Sequence, residues 1–271
     1  MSSSCAYFLV YHGSSDPRPH KAARELARIF SEKIHHFQTF SALVQRSFSE
    51  PNRSNAQTVP PVGIAALEGS IPLHQQLGQF IQSLAGPPLG VAAIEQVIIL
   101  PLFLLAGVHV MEDIPAEVSL AQQMLGSTLR LEIASHLGSH PGLARLVTER
   151  MAVSSAEAWV LLSHGSRRPG ANQGTVALAE RLGALPAYWS VPPQLEARLQ
   201  ELQASGLRQI AVFPYFLFQG GITDAIAQLT EQLARQFPSL QLSLAPPLNA
   251  LPELADLLID LAHPRALRAA P

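Results

Sequence analysis

Phe8-Leu-Val-Tyr-His12-Gly-Ser-Ser-Asp-Pro-Arg18, near the start of the chain, returns past its middle as Val160-Leu-Leu-Ser-His164-Gly-Ser-Arg-Arg-Pro-Gly170. Each copy is a short, continuously apolar run that stops at a His-Gly-Ser turn. A second pair follows: Val97-Ile-Ile-Leu-Pro101-Leu-Phe-Leu-Leu-Ala-Gly107-Val-His109 is echoed by Ile210-Ala-Val-Phe-Pro214-Tyr-Phe-Leu-Phe-Gln-Gly220-Gly-Ile222. Two tandem copies of one unit account for both pairs. The copies part where chemistry would sit, because His109 in the first stands where the second has Ile222.

Working outward, Ala6 to Tyr11 has the length of a buried strand and ends at a Gly/Ser/Pro turn. Lys21 to Phe37 then carries Ala22, Leu26, Ile29, Phe30 and Ile34 at helical spacing. Gln96 to Leu102 is another apolar strand, followed by a helix opening near Asp113-Ile-Pro115, a strand over Leu129 to Ile133 and a helix from Pro141. The second half repeats the order: strands at Trp159–Ser163, Ala187–Trp189, Gln209–Phe213 and Leu240–Leu244 alternate with helices at Asn172–Leu182, Gln194–Ala204 and Ile222–Phe237. Strands apolar on both faces, alternating with helices, predict parallel sheets covered on both sides. The expected fold is α/β, with two tandem, similar three-layer α/β/α domains at residues 1–153 and 154–271, joined near Met151 to Ala156. The first copy is longer between its His-Gly-Ser turn and its Pro strand. The excess falls at Ser49 to Gly63, whose Pro51, Asn52, Pro60 and Pro61 read as a surface loop. Ser41 to Phe48 reads either as an additional strand or as the extension of a neighbouring one.

With 271 residues, 48% hydrophobic content and a net charge of -2, the chain is long and apolar enough to bury a substantial core. The balance of 18 basic against 20 acidic residues gives no reason to expect nucleic acid or an anionic membrane as a partner. The longest apolar stretch, Val97 to Val108, is too short to span a bilayer. Its one cysteine, Cys5, excludes an intramolecular disulfide, and the first residues lack a basic segment of the secretory type. A cytoplasmic setting is expected.

In an open parallel sheet, ligands bind beyond the carboxyl ends of the strands, where both His12 and His109 fall. Glu68, in Ala65-Ala-Leu-Glu68-Gly-Ser-Ile-Pro72, likewise ends a short apolar segment before a helix start. A lone histidine after a strand is ordinarily a hydrogen-bonded structural residue, and a lone glutamate a surface acid. Two imidazoles and one carboxylate at strand ends, in a repeated unit, instead suit a divalent transition metal with open coordination positions. His20, His35, His36 and His74 read as solvated, and His136 and His140 as loop residues. The Gly13-Ser14-Ser15 and Gly165-Ser166 turns have the character of small anion-binding loops. No Gly-x-x-x-x-Gly-Lys-[Ser/Thr] and no Gly-x-Gly-x-x-Gly after a strand is present, so nucleoside triphosphate hydrolysis and dinucleotide binding are unsupported.

His12-Gly-Ser with Arg18 downstream, Leu-Glu68, and Pro101-Leu-Phe-Leu-x-x-Gly107-x-His109-Val-x-x-Asp-Ile-Pro115 together resemble the sirohydrochlorin chelatases of the CbiX/SirB group, in their long two-half form. The resemblance implies a class II chelatase fold and ATP-independent insertion of Co²⁺ or Fe²⁺ into sirohydrochlorin, toward cobalamin or siroheme. It implies His12, Glu68 and His109 as the catalytic, metal-handling residues, with no cofactor beyond the metal that is itself a substrate. For the eight substrate carboxylates, Ser14, Arg18, Lys21, His164, Ser166, Arg167 and Arg168 are the candidate donors. The second half departs from the pattern, with Trp189 taken to stand at Glu68 and Ile222 at His109, which leaves one active centre. That half then forms the opposite cleft wall, with Tyr188, Trp189, Tyr215, Phe216 and Phe218 able to offer aromatic surface to the macrocycle, and core packing at the strand end an equal reading for Phe216 and Phe218. A fused two-half chain needs no partner to close its cleft. The alternative from another class is a metal or tetrapyrrole carrier without turnover; a phosphoester-binding enzyme lacks the Asp-rich metal site it would need.

Overall fold

The computed structural model describes residues 5–46, 59–84, 94–126 and 129–264. The first half runs β1 (Cys5–Tyr11), α1 (Pro17–Arg46), β2 (Val62–Ala66), α2 (Leu73–Leu84), β3 (Gln96–Pro101), a π-helical turn (His109–Asp113), α3 (Ile114–Leu125), β4 (Arg130–Ile133), a 3-10 turn (Leu137–Ser139) and α4 (Pro141–Met151). The second runs β5 (Ala158–Ser163), α5 (Gln173–Leu182), β6 (Ala184–Tyr188), α6 (Leu195–Ala204), β7 (Gln209–Pro214), α7 (Gly221–Gln236), β8 (Gln241–Leu244) and α8 (Pro252–Ala262). All strand pairs are parallel, in two four-stranded sheets of identical order, β2-β1-β3-β4 and β6-β5-β7-β8. The tandem α/β/α reading therefore holds. In each sheet the central strand feeds one neighbour on either side, and the crevice this opens lies at the carboxyl ends of β1 and β3, or of β5 and β7.

The apolar runs form central strands because both faces are covered; Ala6, Tyr7, Leu9 and Val10 of β1 are fully buried. One core cluster per sheet fills an outer face, with α2 and α3 over the first and α6 and α7 over the second. The third is shared. Leu26, Phe30 and Ile34 of α1 meet Leu143 and Val147 of α4, Ala179 of α5, and Leu254, Ala255 and Leu258 of α8 in a single cluster that also takes in Leu9, Leu100, Leu161 and Phe213 from the two sheets.

Packing thus does not divide where the chain passes from one sheet to the other. The last helix of the first half, α4, packs on α5 of the second, while α8 follows the second sheet and returns to α1 and β3 of the first. Polar contacts fix α8 there. Lys33 pairs with Asp256 at 2.6 Å, and the Tyr7 hydroxyl, which accepts from Gln38 Nε2 at 2.9 Å, lies 2.8 Å from His263 Nε2.

Three readings are corrected by the structure. Residues 41–46 complete α1 instead of forming a strand, and 47–48 lie outside the described residues. Of the loop read at 49–63, residues 49–58 also lie outside them, whereas Val62 and Gly63 already belong to β2, in register with Tyr7 and Phe8. His74 and His20 are not simply solvated: the His74 side chain joins α2 to α3 through Glu117 at 2.8 Å, and His20 Nδ1 lies 2.7 Å from the Tyr11 hydroxyl. Helix α8 had no counterpart in the sequence reading. No helix among the described residues is long and apolar enough to cross a membrane.

Two outcomes follow from the shared core. Leu258→Ala, at a fully buried position, is expected to lower the unfolding free energy by about 2–5 kcal/mol, with urea denaturation still giving one transition for both halves. Burial pushes His263 below its ordinary 6.5, and His136 likewise. The unfolded chain therefore binds protons first on acidification, and stability declines as pH falls below 6.5 toward the lowered folded values. Denaturation across that window should show a shallower decline in His263→Gln.

Candidate metal centre

Three loops at the crevice of the first sheet bring His12, Glu68 and His109 together. His12 follows β1, Glu68 follows β2, and His109 opens the π-helical turn beyond β3. The β1–β2 ladder runs on past the strands: Leu67 N–H donates to Tyr11 O at 2.8 Å and Glu68 N–H to His12 O at 2.7 Å. On the other flank Leu102 N–H donates to Val10 O at 2.7 Å, which sets the start of the loop to His109.

His12 Nδ1 lies 3.5 Å from Glu68 Oε2, and His109 Nε2 lies 3.8 Å from Glu68 Oε1. The imidazoles meet edge to face, centroids 4.7 Å apart at 89°. One donor atom from each of the three falls within 4.8 Å of the others, and among the described residues this is the one group of His, Cys, Asp and Glu side chains gathered closely enough to hold an ion. The group is open, with side-chain exposures of 54% for His12, 59% for Glu68 and 31% for His109. A bulky partner can therefore reach it. Phe103 lies beside both imidazoles, 6.3 Å from His12 and 5.9 Å from His109. Its carbonyl accepts from the Gly138 N–H and faces His136 Nδ1 at 3.1 Å, which explains the loop placement of His136; His140 caps α4.

The second half keeps the turn and its histidine, His164, and lacks the counterparts of Glu68 and His109. Trp189 N–H donates to Ser163 O and Ser190 N–H to His164 O, both at 2.9 Å. These bonds reproduce the Leu67 and Glu68 contacts, so Ser190, not Trp189, is the counterpart of Glu68. The Ser190 hydroxyl turns back onto the carbonyls of His164 and Gly165. Ile222, at the counterpart of His109, is exposed. The aromatic wall is also corrected: Tyr188 and Tyr215 are buried, and Trp189, Phe216 and Phe218 pack against the cores.

The expected carboxylate-binding residues differ in freedom. Arg18 is held by Asp16, at 2.6 Å, and by Asp224 of α7, at 2.5 Å; hydrogen bonds from the Arg18 side chain and backbone N–H bring the Asp16 carboxyl down to about 2. Arg168 reaches back across to Glu112 of the π-helical turn at 2.9 Å. Each His-Gly-Ser loop therefore sends one arginine to an acid of the other half. Arg167 is exposed and makes no ion pair among the described residues; His164 is exposed as well. Ser14 and Ser166 accept the N–H groups of Asp16 and Arg168, closing equivalent turns. Beside Arg168 a groove of about 440 Å³ is lined by Pro169, Asn172, Gln173 and Val176, apart from the histidines.

A family model described as CbiX matches residues 85–154 and 158–263, more than half of the chain. The chain belongs to the CbiX family. The match includes His109 and begins after His12 and Glu68. Among solved structures, SirB from Bacillus subtilis with Fe³⁺ is 20% identical, with a TM-score of 0.68 over 96% of this chain and 94% of that one. The sirohydrochlorin chelatase SirB from Bacillus subtilis subspecies spizizenii, in complex with cobalt, is 19% identical, with a TM-score of 0.67 over 98% and 97%. CbiX, the terminal enzyme for biosynthesis of siroheme in denitrifying bacteria, is 18% identical, with a TM-score of 0.57 over 96% and 99%. These likenesses extend the CbiX-type fold to nearly the whole chain. No curated protein matches the sequence.

Asp113 and Phe103 were quoted in the sequence motif without a role. The spacing of Asp113 four residues beyond His109 was the available signal, because such a pair shares one helical face. Gly13 carries the approach of the two loops: its φ is +101°, and a Cβ there would lie 2.2 Å from the Glu68 carbonyl oxygen. Gly13→Ala is expected to cost about 1–3 kcal/mol in strain and to part Glu68 from His12. Denaturation, together with Co²⁺ titration of the folded variant, checks both effects.

Proposed function

We propose that this CbiX-family protein inserts a divalent metal, Co²⁺ or Fe²⁺, into sirohydrochlorin without ATP. The observation that carries the reading is the convergence of two imidazoles and one carboxylate at an open crevice above three parallel strand ends. Imidazole binds borderline cations while leaving exchangeable positions, and a carboxylate lowers the cost of stripping water from the ion. Insertion releases two protons from ring nitrogens as the metal–nitrogen bonds form. His12, His109 and Glu68 lie where metal release and proton acceptance would meet. In this reading residues 1–153 bear the metal site and 154–271 form the facing half. That SirB relatives have been solved with Fe³⁺ and with cobalt supports iron and cobalt as the metals to consider.

Arg167 is the first candidate to meet a substrate carboxylate, because its charge is uncommitted among the described residues. Arg18 and Arg168 would exchange a protein carboxylate for one of the substrate's, and His164 adds a donor at the same opening. Ser14 and Ser166 accept backbone N–H bonds through oxygen, which leaves each hydroxyl proton to donate. The product leads to siroheme with iron or to cobalamin with cobalt, and the single cysteine suits a cytoplasmic setting.

The test is anaerobic absorbance spectroscopy of sirohydrochlorin with Co²⁺ or Fe²⁺. Wild-type protein should accelerate insertion over the spontaneous rate, and His12→Ala or His109→Ala should lower the rate by about 10²–10⁴-fold with unfolding midpoints unchanged. Binding of macrocycle with no acceleration for either metal would reject the chelatase in favour of a carrier. Arg167→Glu should raise the KM for the macrocycle with little change in kcat, as measured by steady-state titration of the ring at saturating metal.

A further inference from the structure

We infer that Asp113 is a positioning residue for metal capture: its carboxylate holds His109 in the tautomer whose unprotonated Nε2 faces Glu68. The inference rests on the reading of His12, Glu68 and His109 as the metal-handling group, and goes beyond it to a residue outside that group. His109 Nδ1 lies 2.7 Å from Asp113 Oδ2. A carboxylate only accepts, so Nδ1 carries the proton and donates it to Asp113. In the neutral ring Nε2 is then a bare lone pair, and it stands 3.8 Å from Glu68 Oε1. With the ring neutral, these two acceptors face one another and are poised to share a bound cation.

The Asp113 backbone is helical, with φ -68° and ψ -50°, and the Ile114 N–H donates to the His109 carbonyl, so the π-helical turn runs into α3 without a break. The Asp113 side chain makes no capping bond and is paired with His109. The preceding acid does not compete for the ring, because Glu112 is turned to Arg168 of the other half. The π-helical turn that carries all three residues is itself a departure from regular helix of a kind that gathers at functional sites.

The internal repeat supplies an independent comparison. Carried forward at the spacing fixed by Pro101 and Pro214, His109 corresponds to Ile222 and Asp113 to Ile226. Ile226 is fully buried in the outer core of the second sheet. The half without the histidine has also lost the carboxylate, and what stands there serves packing. A residue needed only to build the helix after the third strand would have no reason to differ together with the ligand.

Carboxylates behind metal-bound histidines fix ring orientation and raise the basicity of the coordinating nitrogen. Asp113→Ala should therefore weaken Co²⁺ binding about 10–100-fold, measured by anaerobic titration of the protein alone through the cobalt d–d absorption. Asp113→Asn, whose amide oxygen can still accept the Nδ1 proton without supplying charge, should fall between wild type and Asp113→Ala. In turnover the KM for the metal should rise while that for the macrocycle stays unchanged, a split that a general loss of structure would not produce. Wild-type Co²⁺ affinity and an unaltered spectrum in Asp113→Ala would overturn the positioning role. Equal Co²⁺ binding by wild type and His109→Ala would instead overturn the metal-centre reading on which it rests.

Discussion

The backbone bond from Glu68 N–H to His12 O, 2.7 Å long, extends a parallel ladder beyond the last residues of its strands. Side chains on loops are ordinarily the least fixed part of an α/β protein. Here the ladder carries strand precision into the loops. The His12 carbonyl is committed to Glu68, the Val10 carbonyl to Leu102, and the turn between His12 and Ser14 must then fold away from both. A left-handed residue without a Cβ is the way to make that turn, and Gly13 supplies it. The distances within the His12, Glu68 and His109 group thus follow from hydrogen bonding in the sheet more than from attraction among the side chains. That matters for a group that gathers one carboxylate and two imidazoles in mutual proximity.

The second half shows the same scaffold without the chemistry. Its sheet order, the ladder extension from His164 to Ser190 and the left-handed Gly165 all persist. What differs is which atoms project from it. Ser190 folds its hydroxyl back onto the turn, so the carboxylate's place is taken by a short group that stabilises the loop. Scaffold and function separate cleanly because the turn geometry is set by backbone groups common to both copies.

The strand–helix order was legible in the sequence because buried parallel strands are unbroken apolar runs, and the repeat gave each a second witness. His12, Glu68 and His109 were legible because each follows such a run. The position opposite Glu68 was misread by one residue, and in a strand extension one residue exchanges faces. Trp189 accordingly turns to the core while Ser190 faces the loop. Tyr188 and Tyr215 were read as a binding wall, but Tyr188, at the end of β6, lies against the Gly165 turn, and Tyr215, just past the central strand β7, enters the core shared by the two halves. Helix α8 was missed because its apolar spacing carries no mark of the sheet it will join. The pairing of Arg18 and Arg168 across the halves was invisible for a related reason: charge partners far apart in the chain are set by tertiary folding alone.

The two kinds of contact between the halves differ in strength and so in what they can do. The shared cluster of α1, α4, α5 and α8 is buried and apolar, and burial of that kind holds the sheets in a fixed relation. The Arg18–Asp224 and Arg168–Glu112 bridges are exposed, and pairs of that kind contribute about 0–1 kcal/mol. Losing them would leave the assembly standing. Their value lies in placement: both close over loops that lead to the metal group, and both present an arginine already oriented by a carboxylate. A polycarboxylate entering the opening would replace like with like, at little electrostatic cost, while the core beneath keeps the three strand ends where they are.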